Sequence, residues 1–369
     1  MTGRRAAVRI DRLELVDVRT YARLTLELAD GVTVLVGPNG VGKTNLLEAC
    51  AVVLQGTSPR TSAELRLVRD GAAAARIAAR VVIGEQVHER EVRFVAGRGK
   101  QLKLDGSPAR SVEEYAQAAP VVAFLPERLL TIRGAPARRR ALIDGLATRL
   151  VAGAAGVQRD YAKALQQRNN LLRAGRGGSR IDEQLAPWTQ QVVEHGTQLR
   201  AVRQQVLERL AAPFDVRFAE LTGLAGGTFD LELRGDADLA VALEESAGYD
   251  RRRGSTTTGP HLDDMLPRHA GRDLRAFGST GEQRSALLAF TLAARDLVEE
   301  ATGLAPVVLL DEPWSELDRD RRRRLTELLP TLGQVVATST DPPRGLGSVS
   351  LVAVSSGAVA PWTTDLTSS

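Results

Sequence analysis

Residues Gly37 to Ala49 read GPNGVGKTNLLEA, and this stretch restricts the fold more than any other part of the chain. Gly37, Gly42, Lys43 and Thr44 satisfy the G-x-x-x-x-G-K-[ST] pattern of a phosphate-binding loop. Such a loop needs a strand before it and a helix after it. VTVLV (Val32–Val36) is a short apolar run of the kind a buried parallel strand shows. After Gly42 the period changes: Leu46, Leu47, Cys50 and Val53 share one helical face, and Gly56 is placed to end the helix. Glycines let backbone N–H groups curl around phosphate oxygens, and the helix N-terminus adds a favourable dipole. Gly37, Pro38, Asn39, Gly40, Val41, Gly42, Lys43 and Thr44 are therefore the candidate nucleotide-binding residues. Lys43 is expected to reach the β- and γ-phosphates, and the Thr44 hydroxyl to ligate Mg²⁺.

The second half of such a site is an apolar strand ending in acid, and VVLLDE (Val307 to Glu312) supplies it. Asp311 is expected to hold Mg²⁺ through water, and Glu312 to polarise the attacking water as general base. No N-K-x-D occurs, so guanine selection has no support, and the two motifs by themselves leave the class of nucleoside triphosphatase open. Upstream lies FGSTGEQRSALLAFTLAARDL, in which Ser279, Gly281 and Glu282 head an expected helix. That helix start has two readings. It is a second anion-receptive N-terminus, or Ser279 and Glu282 form a capping box.

The chain has 369 residues and 43% hydrophobic content, enough for one large domain or two lobes. The single cysteine, Cys50, excludes a disulfide framework and suits a reducing cytosol, so a cytoplasmic location is expected. The start, MTGRRAAVRIDRLELV, carries charges where a signal peptide needs an apolar run. No run approaches the roughly 18 apolar residues of a membrane span. The formal charge of +4 is carried almost wholly by arginine, which fits phosphate binding and a GC-rich genome equally well.

Strand patterns open the chain (VRIDRLELVDV, LTLELADGVTVLVG), and residues 76–105 alternate as antiparallel strands do. Residues from about 136 to 212 read as helical. Tyr161, Leu165 and Leu172 share one face; Trp188, Val192, Leu199, Val202, Val206 and Leu210 mark another, with RAGRGGSR between. Each helix spans roughly 20 residues, about 30 Å, which excludes a long coiled-coil tether. PVVLLDE, QVVATST and VSLVAV return to strand pattern, and residues 225–275 have no assignment. The expected organisation is an α/β fold. A mixed-sheet core (residues 1–125 and 255–369) holds the ATP site, and a helical lobe (126–254) is inserted in it.

A phosphate loop, an S-x-G-[EQ] helix start, an acidic strand and SELD follow one another as in the ABC ATPases, and the chain resembles that superfamily. The resemblance is closer to the RecF recombination proteins, themselves related to SMC and Rad50 heads. It is carried by LPERLLTIRGAPARRRALID (Leu125 to Asp144), YAKALQQRNNLL (Tyr161 to Leu172), TTTGPHLDDM (Thr256 to Met265) and PVVLLDEPWSELDRDRRRRL, together covering nearly the whole chain in family order. It implies an ATP-dependent homodimer in which the Ser279 helix start acts in trans on the γ-phosphate held by the other subunit. Ser315 and Asp318 of SELD would lie on the loop crossing that interface. It further implies slow ATP hydrolysis and binding of double-stranded and gapped DNA. The partners would be RecO and RecR in placing RecA, and the setting recombinational repair, replication-fork maintenance and the SOS response.

The chain departs from these patterns in three places. Leu262 stands where the RecF resemblance has a basic residue after Gly-Pro-His. ATSTDPP (Ala337 to Pro343) lacks the switch histidine of transporters, and the best positional candidate for their coupling glutamine is Glu127. Both absences oppose the alternative of a transporter ATPase subunit. An intact Lys43, Asp311 and Glu312 opposes a scaffold that binds ATP without turnover. The runs Arg138–Arg140, Arg251–Arg253 and Arg321–Arg324 either touch DNA phosphates or form solvated helix faces.

Overall fold

The structure is a computed structural model describing residues 6–61, 63–95, 97–125, 129–174, 181–345, 347 and 349–362. The chain divides into two compact units. The first is Met1–Arg128, Glu220–Gly223 and Leu287–Ser369; the second is Leu129–Ala219 and Leu224–Ala286.

The first unit holds two six-stranded sheets. One is antiparallel, in the order Tyr21–Glu27, Val8–Val18, Ala74–Ile83, Gln86–Val95, Gly99–Leu104, Ser107–Pro108. The other is mixed, in the order Ala358–Pro361, Ser350–Ser355, Val32–Val36, Val335–Ser339, Val307–Leu310, Val121–Phe124. Only its edge strand Ala358–Pro361 runs antiparallel. The four strands from Val32–Val36 to Val121–Phe124 in that order are buried at every position, which is why they read as continuous apolar runs. The phosphate-loop strand and the acidic strand are not neighbours, because Val335–Ser339 lies between them.

The helix Lys43–Gln55 follows the phosphate loop and is buried nearly all round. Its Leu46, Leu47 and Val53 join one core with Ile10, Leu13 and Phe94 of the antiparallel sheet and Leu309 and Val336 of the mixed sheet. A helix without a polar face belongs in such a core. It ends at Gly56, whose φ of 75° suits glycine and whose N–H donates to the Val52 carbonyl at 2.7 Å. The buried Arg90 guanidinium donates to the Val53 and Leu54 carbonyls at 3.1 and 2.9 Å, supplying positive charge to the helix C-terminus. In the first strand the register with Ala74–Ile83 shifts between Ile10 and Arg12. The buried Gln334 amide repairs the gap. Its Oε1 accepts the Ile10 N–H at 2.8 Å, and its Nε2 donates to the Ile10 and Ala29 carbonyls at 2.8 and 2.9 Å.

The second unit contains helices Leu129–Arg133, Pro136–Leu150, Ala154–Ala174 and Leu239–Arg253, most of the helix Ile181–Thr222, and a three-stranded antiparallel sheet. That sheet (Gly227–Glu232, Asp264–His269, Arg272–Asp273) and the helix Leu239–Arg253 occupy residues 225–275, for which pattern alone offered no assignment. The unit runs past residue 254 to Ala286 because ion pairs bind the 260s to its helices.

The helix Ile181–Thr222 has 42 residues, not roughly 20. The helical pattern read to about residue 212, and the helix runs on to Thr222 with both Pro187 and Pro213 inside it. Buried Phe214 and Phe218 carry it past the proline: they stack at 5.9 Å, and Phe229 meets Phe214 edge-on at 5.1 Å. Its length alone therefore does not separate this chain from proteins with long helical arms. Among the described residues no helix is long and apolar enough to cross a membrane.

The motif segments with no nucleotide chemistry of their own form a buried charge network in this unit. Arg139 pairs with both Asp264 oxygens (2.7 and 2.8 Å), Arg200 with both of Asp263 (2.9 and 3.0 Å) and Arg203 with both of Asp144 (2.7 and 2.8 Å). Arg168 donates to Asp250 at 2.8 Å. Asn169 Oδ1 accepts from the Thr256 N–H at 2.7 Å. The Tyr161 hydroxyl and His261 Nδ1 are 2.8 Å apart. One member of the Arg138–Arg140 run is thus internal: Arg139 is 1% exposed and belongs to no solvated face, while Arg140 is half-buried and donates to the Asp263 carbonyl. Leu262, by contrast, is exposed on a turn closed by its N–H to the Gly259 carbonyl at 2.9 Å, so its departure leaves the network intact.

Asp263→Ala is expected to lower unfolding stability by about 3–5 kcal/mol, the cost of leaving a buried charge unpaired. Asp263 is fully buried and also accepts the Arg234 N–H at 2.7 Å. Urea denaturation checks this; a change within about 0.5 kcal/mol, typical of surface substitutions, would contradict it.

Candidate functional site

The phosphate loop is shaped by what surrounds its glycines. Gly37 donates its N–H to the Ser339 carbonyl at 3.1 Å, and a Cβ there would lie 2.3 Å from the Val354 carbonyl oxygen. Gly42 has φ 111°, and a Cβ would meet the Tyr21 hydroxyl at 2.7 Å and the Thr20 hydroxyl at 2.9 Å. Glycine at 42 is thus required by backbone conformation and by space. Thr20 and Tyr21 lie between the two strand patterns that open the chain and had no reading in the sequence.

Four of the candidate residues converge beside this loop. Lys43, almost fully buried, donates to the Gly37 carbonyl at 2.5 Å and the Pro38 carbonyl at 3.1 Å, and its Nζ lies 3.0 Å from Glu312 Oε1. The Thr44 hydroxyl donates to Asp311 Oδ2 at 2.7 Å. Burial pushes the Asp311 carboxyl above its ordinary value, against the hydroxyls of Thr338 and Thr44, which favour its charged form. Glu312 has φ 48°, a left-handed conformation uncommon outside glycine. Its carbonyl accepts the Ser315 N–H at 3.1 Å and the Ser315 hydroxyl at 3.0 Å. Asp318 caps the helix Arg319–Leu328 by accepting the Arg321 N–H at 2.9 Å. Of the remaining loop residues, Pro38, Asn39 and Gly40 are exposed and Val41 is half-buried.

Ser279, Gly281 and Glu282 begin the helix Thr280–Thr302 in the second unit. The capping box is present: the Ser279 N–H donates to Glu282 Oε2 at 2.8 Å, and the Glu282 N–H to Ser279 Oγ at 3.2 Å. Ser279 is nevertheless exposed, so capping leaves it open to a ligand. The turn before it is held by Gln283, whose Nε2 donates to the Leu274, Arg275 and Gly278 carbonyls at 2.7, 3.2 and 3.1 Å.

Two groups of residues escaped the sequence reading. Thr338, fully buried, donates its hydroxyl to Asp311 Oδ1 and accepts the Glu312 N–H at 2.8 Å. Glu48, also fully buried, sits on the loop's own helix and binds Arg19, Arg60 and Ser58. Arg60 also reaches Asn45 Oδ1 at 3.3 Å, and its charge favours the ionised form of Asp311. A carboxylate inside the apolar run NLLEACAVVL was the available signal, because a buried charge needs partners. Glu127 lies outside the described residues.

The donor set suits a magnesium nucleotide. A Thr hydroxyl and a carboxylate are hard oxygen donors, and Mg²⁺ takes one or two protein ligands beside phosphate oxygens. Among the described residues no cluster of three or more His, Cys, Asp or Glu side chains offers another kind of metal centre.

Residues 9–356 match the family model described as the RecF/RecN/SMC N terminal domain. The DNA replication and repair protein RecF of Acidothermus cellulolyticus is 34% identical over 346 residues, covering 89% of this chain and 93% of that protein. Its counterpart from Frankia alni is 35% identical over 352 residues, with the same coverage of 89% and 93%. A solved structure described as the recombination mediator protein RecF-ATP in the RecFOR pathway superposes with a TM-score of 0.85 at 25% identity, over 98% of this chain and 100% of that one. The Smc head domain of Pyrococcus furiosus shares the fold at a TM-score of 0.57 and 19% identity, over 95% of each chain.

Proposed function

The chain belongs to the RecF family of DNA replication and repair proteins, and on that premise we propose that it is an ATP-driven clamp on double-stranded DNA in recombinational repair. The observation that carries the reading is the convergence of Lys43, Thr44, Asp311 and Glu312 on the loop Gly37–Thr44. These are the parts phosphoryl transfer needs: a cation for the β- and γ-phosphates, two oxygen donors and a carboxylate base. Phosphate oxygens entering the loop take over the Lys43 donors that the Gly37 and Pro38 carbonyls accept. Thr44 and Asp311 hold Mg²⁺, which when bound neutralises charge on the phosphates. Glu312, released from Lys43, accepts the proton of the attacking water.

The same reading places Ser279, Gly281 and Glu282 against the γ-phosphate of a second copy, with Ser315 and Asp318 on the loop between the copies. ATP closes the dimer on duplex or gapped DNA, and slow hydrolysis opens it. The RecFOR pathway named for the similar structure supports RecO and RecR as partners, with RecA loading as the outcome. A transporter role is disfavoured by the residue after the strand Val335–Ser339, which is Thr340 rather than a histidine.

The test is DNA binding by the purified protein with and without ATP across a range of salt. ATP is expected to tighten binding, and the affinity is expected to fall linearly with salt on logarithmic axes, as counterion release requires. Equal binding with and without ATP would overturn the clamp.

A further inference from the structure

We propose that Thr338 is a positioning residue for ATP hydrolysis, its single hydroxyl fixing both the carboxylate of Asp311 and the backbone of Glu312. The proposal rests on the roles given to those two acids above. Thr338 sits on the strand Val335–Ser339, between the phosphate-loop strand, where it pairs with Leu35, and the acidic strand, where its neighbour Ala337 pairs with Leu310. It is fully buried and therefore touches no substrate.

A threonine hydroxyl has one proton to give and lone pairs to accept with. Here the proton goes to Asp311 Oδ1, and a lone pair takes the Glu312 N–H at 2.8 Å. Each bond has a consequence one step closer to the chemistry. Tethering Oδ1 turns the other oxygen of Asp311, Oδ2, toward Thr44, whose hydroxyl lies 2.7 Å away. Those two atoms are the proposed magnesium donors. Tethering the Glu312 N–H holds its backbone at φ 48°, from which its carboxylate reaches Lys43 at 3.0 Å. With Ser315 on the Glu312 carbonyl, both backbone polar groups of Glu312 are occupied, so the left-handed turn is fixed from both sides. One atom thus sets the spacing of the metal donor and the general base.

The decisive variants are Thr338→Val, which keeps shape and β-branching but removes both bonds, and Thr338→Ser, which keeps the hydroxyl. Thr338→Val is expected to lower kcat for ATP by roughly 10–100-fold, the usual loss when a metal ligand's outer partner is removed. KM for ATP should stay within about twofold, because Lys43 and the loop are untouched, and the Mg²⁺ concentration for half-maximal rate should rise roughly 10-fold. Thr338→Ser should recover most of the rate and a normal Mg²⁺ requirement. If valine is not accepted by the core, Thr338→Ala is measured against the same criteria. Glu312→Gln separates the two levels of the argument. Normal hydrolysis by that variant would remove the reading of the site. Slow hydrolysis by it, with Thr338→Val or Thr338→Ala at wild-type kcat and Mg²⁺ requirement, would overturn this inference alone. So would a Thr338→Ser variant as slow as Thr338→Val.

Discussion

Ser279→Arg is expected to leave ATP binding by the isolated subunit nearly normal, while ATP-dependent dimers and hydrolysis disappear. The residue is exposed, and its side chain takes part in the capping box with Glu282 alone. Losing that cap costs about 1 kcal/mol, far too little to unfold a domain. The turn itself survives because Gln283 holds three of its carbonyls from the buried side. What changes is the chemistry at the helix start, where a long cationic side chain would fill the space proposed for a γ-phosphate. Ser279→Asp sharpens the test. Aspartate caps a helix as well as serine does, but it sets a negative charge against a negative phosphate. Loss of dimers in both variants would tie the effect to the ligand rather than to the cap. Mixing Ser279→Arg with Lys43→Ala subunits reconstitutes one dimer site with both residues intact, so partial recovery of activity supports completion in trans. Sedimentation of Ser279→Arg alone decides the matter: ATP-dependent dimers as abundant as in the wild type would rule the sandwich out.

The parts legible in the sequence share a physical reason. The phosphate loop, its strand and its helix are local, so GPNGVGKTNLLEA contains its own context. VVLLDE and QVVATST were legible because strands buried on both faces are apolar throughout. What the sequence hid is nonlocal. Thr338 reaches Asp311 and Glu312 across a strand-to-strand contact. Gln334 repairs a strand more than 300 residues away in sequence. The arginines of QQRNN and ARRRA look like surface charge because arginine normally is; only the fold reveals Asp250 opposite Arg168 and Asp264 opposite Arg139. Pro213 gave a positive but misleading signal. Its missing N–H and fixed φ usually end a helix, and here the aromatic packing of Phe214 and Phe218 outweighs that cost.

Glu312→Gln is expected to slow ATP hydrolysis by about 10²–10⁴-fold, the usual worth of a positioned general base, while ATP still binds. Glutamine fills the same volume and can still accept a bond from Lys43, so the loop should keep its shape. It cannot take a proton from water at neutral pH, so the chemical step alone loses its partner. The consequence for the dimer follows from the order of events proposed above. If ATP closes the clamp and hydrolysis opens it, blocking hydrolysis traps the closed form, and both dimers and DNA complexes should accumulate in ATP. Lys43→Ala should do the opposite, since removing the cation that faces the β- and γ-phosphates weakens ATP binding itself. The contrast matters because both residues end at the same contact, Lys43 Nζ to Glu312 Oε1 at 3.0 Å. A contact important only for folding would give no opposed phenotypes: Glu312→Gln, which keeps the bond, would behave like the wild type. A contact between a phosphate-binding cation and a base must give opposite ones, with long-lived closed dimers for Glu312→Gln and none for Lys43→Ala. Single-turnover hydrolysis with sedimentation in ATP measures both halves. Wild-type turnover by Glu312→Gln would remove it from the role of base.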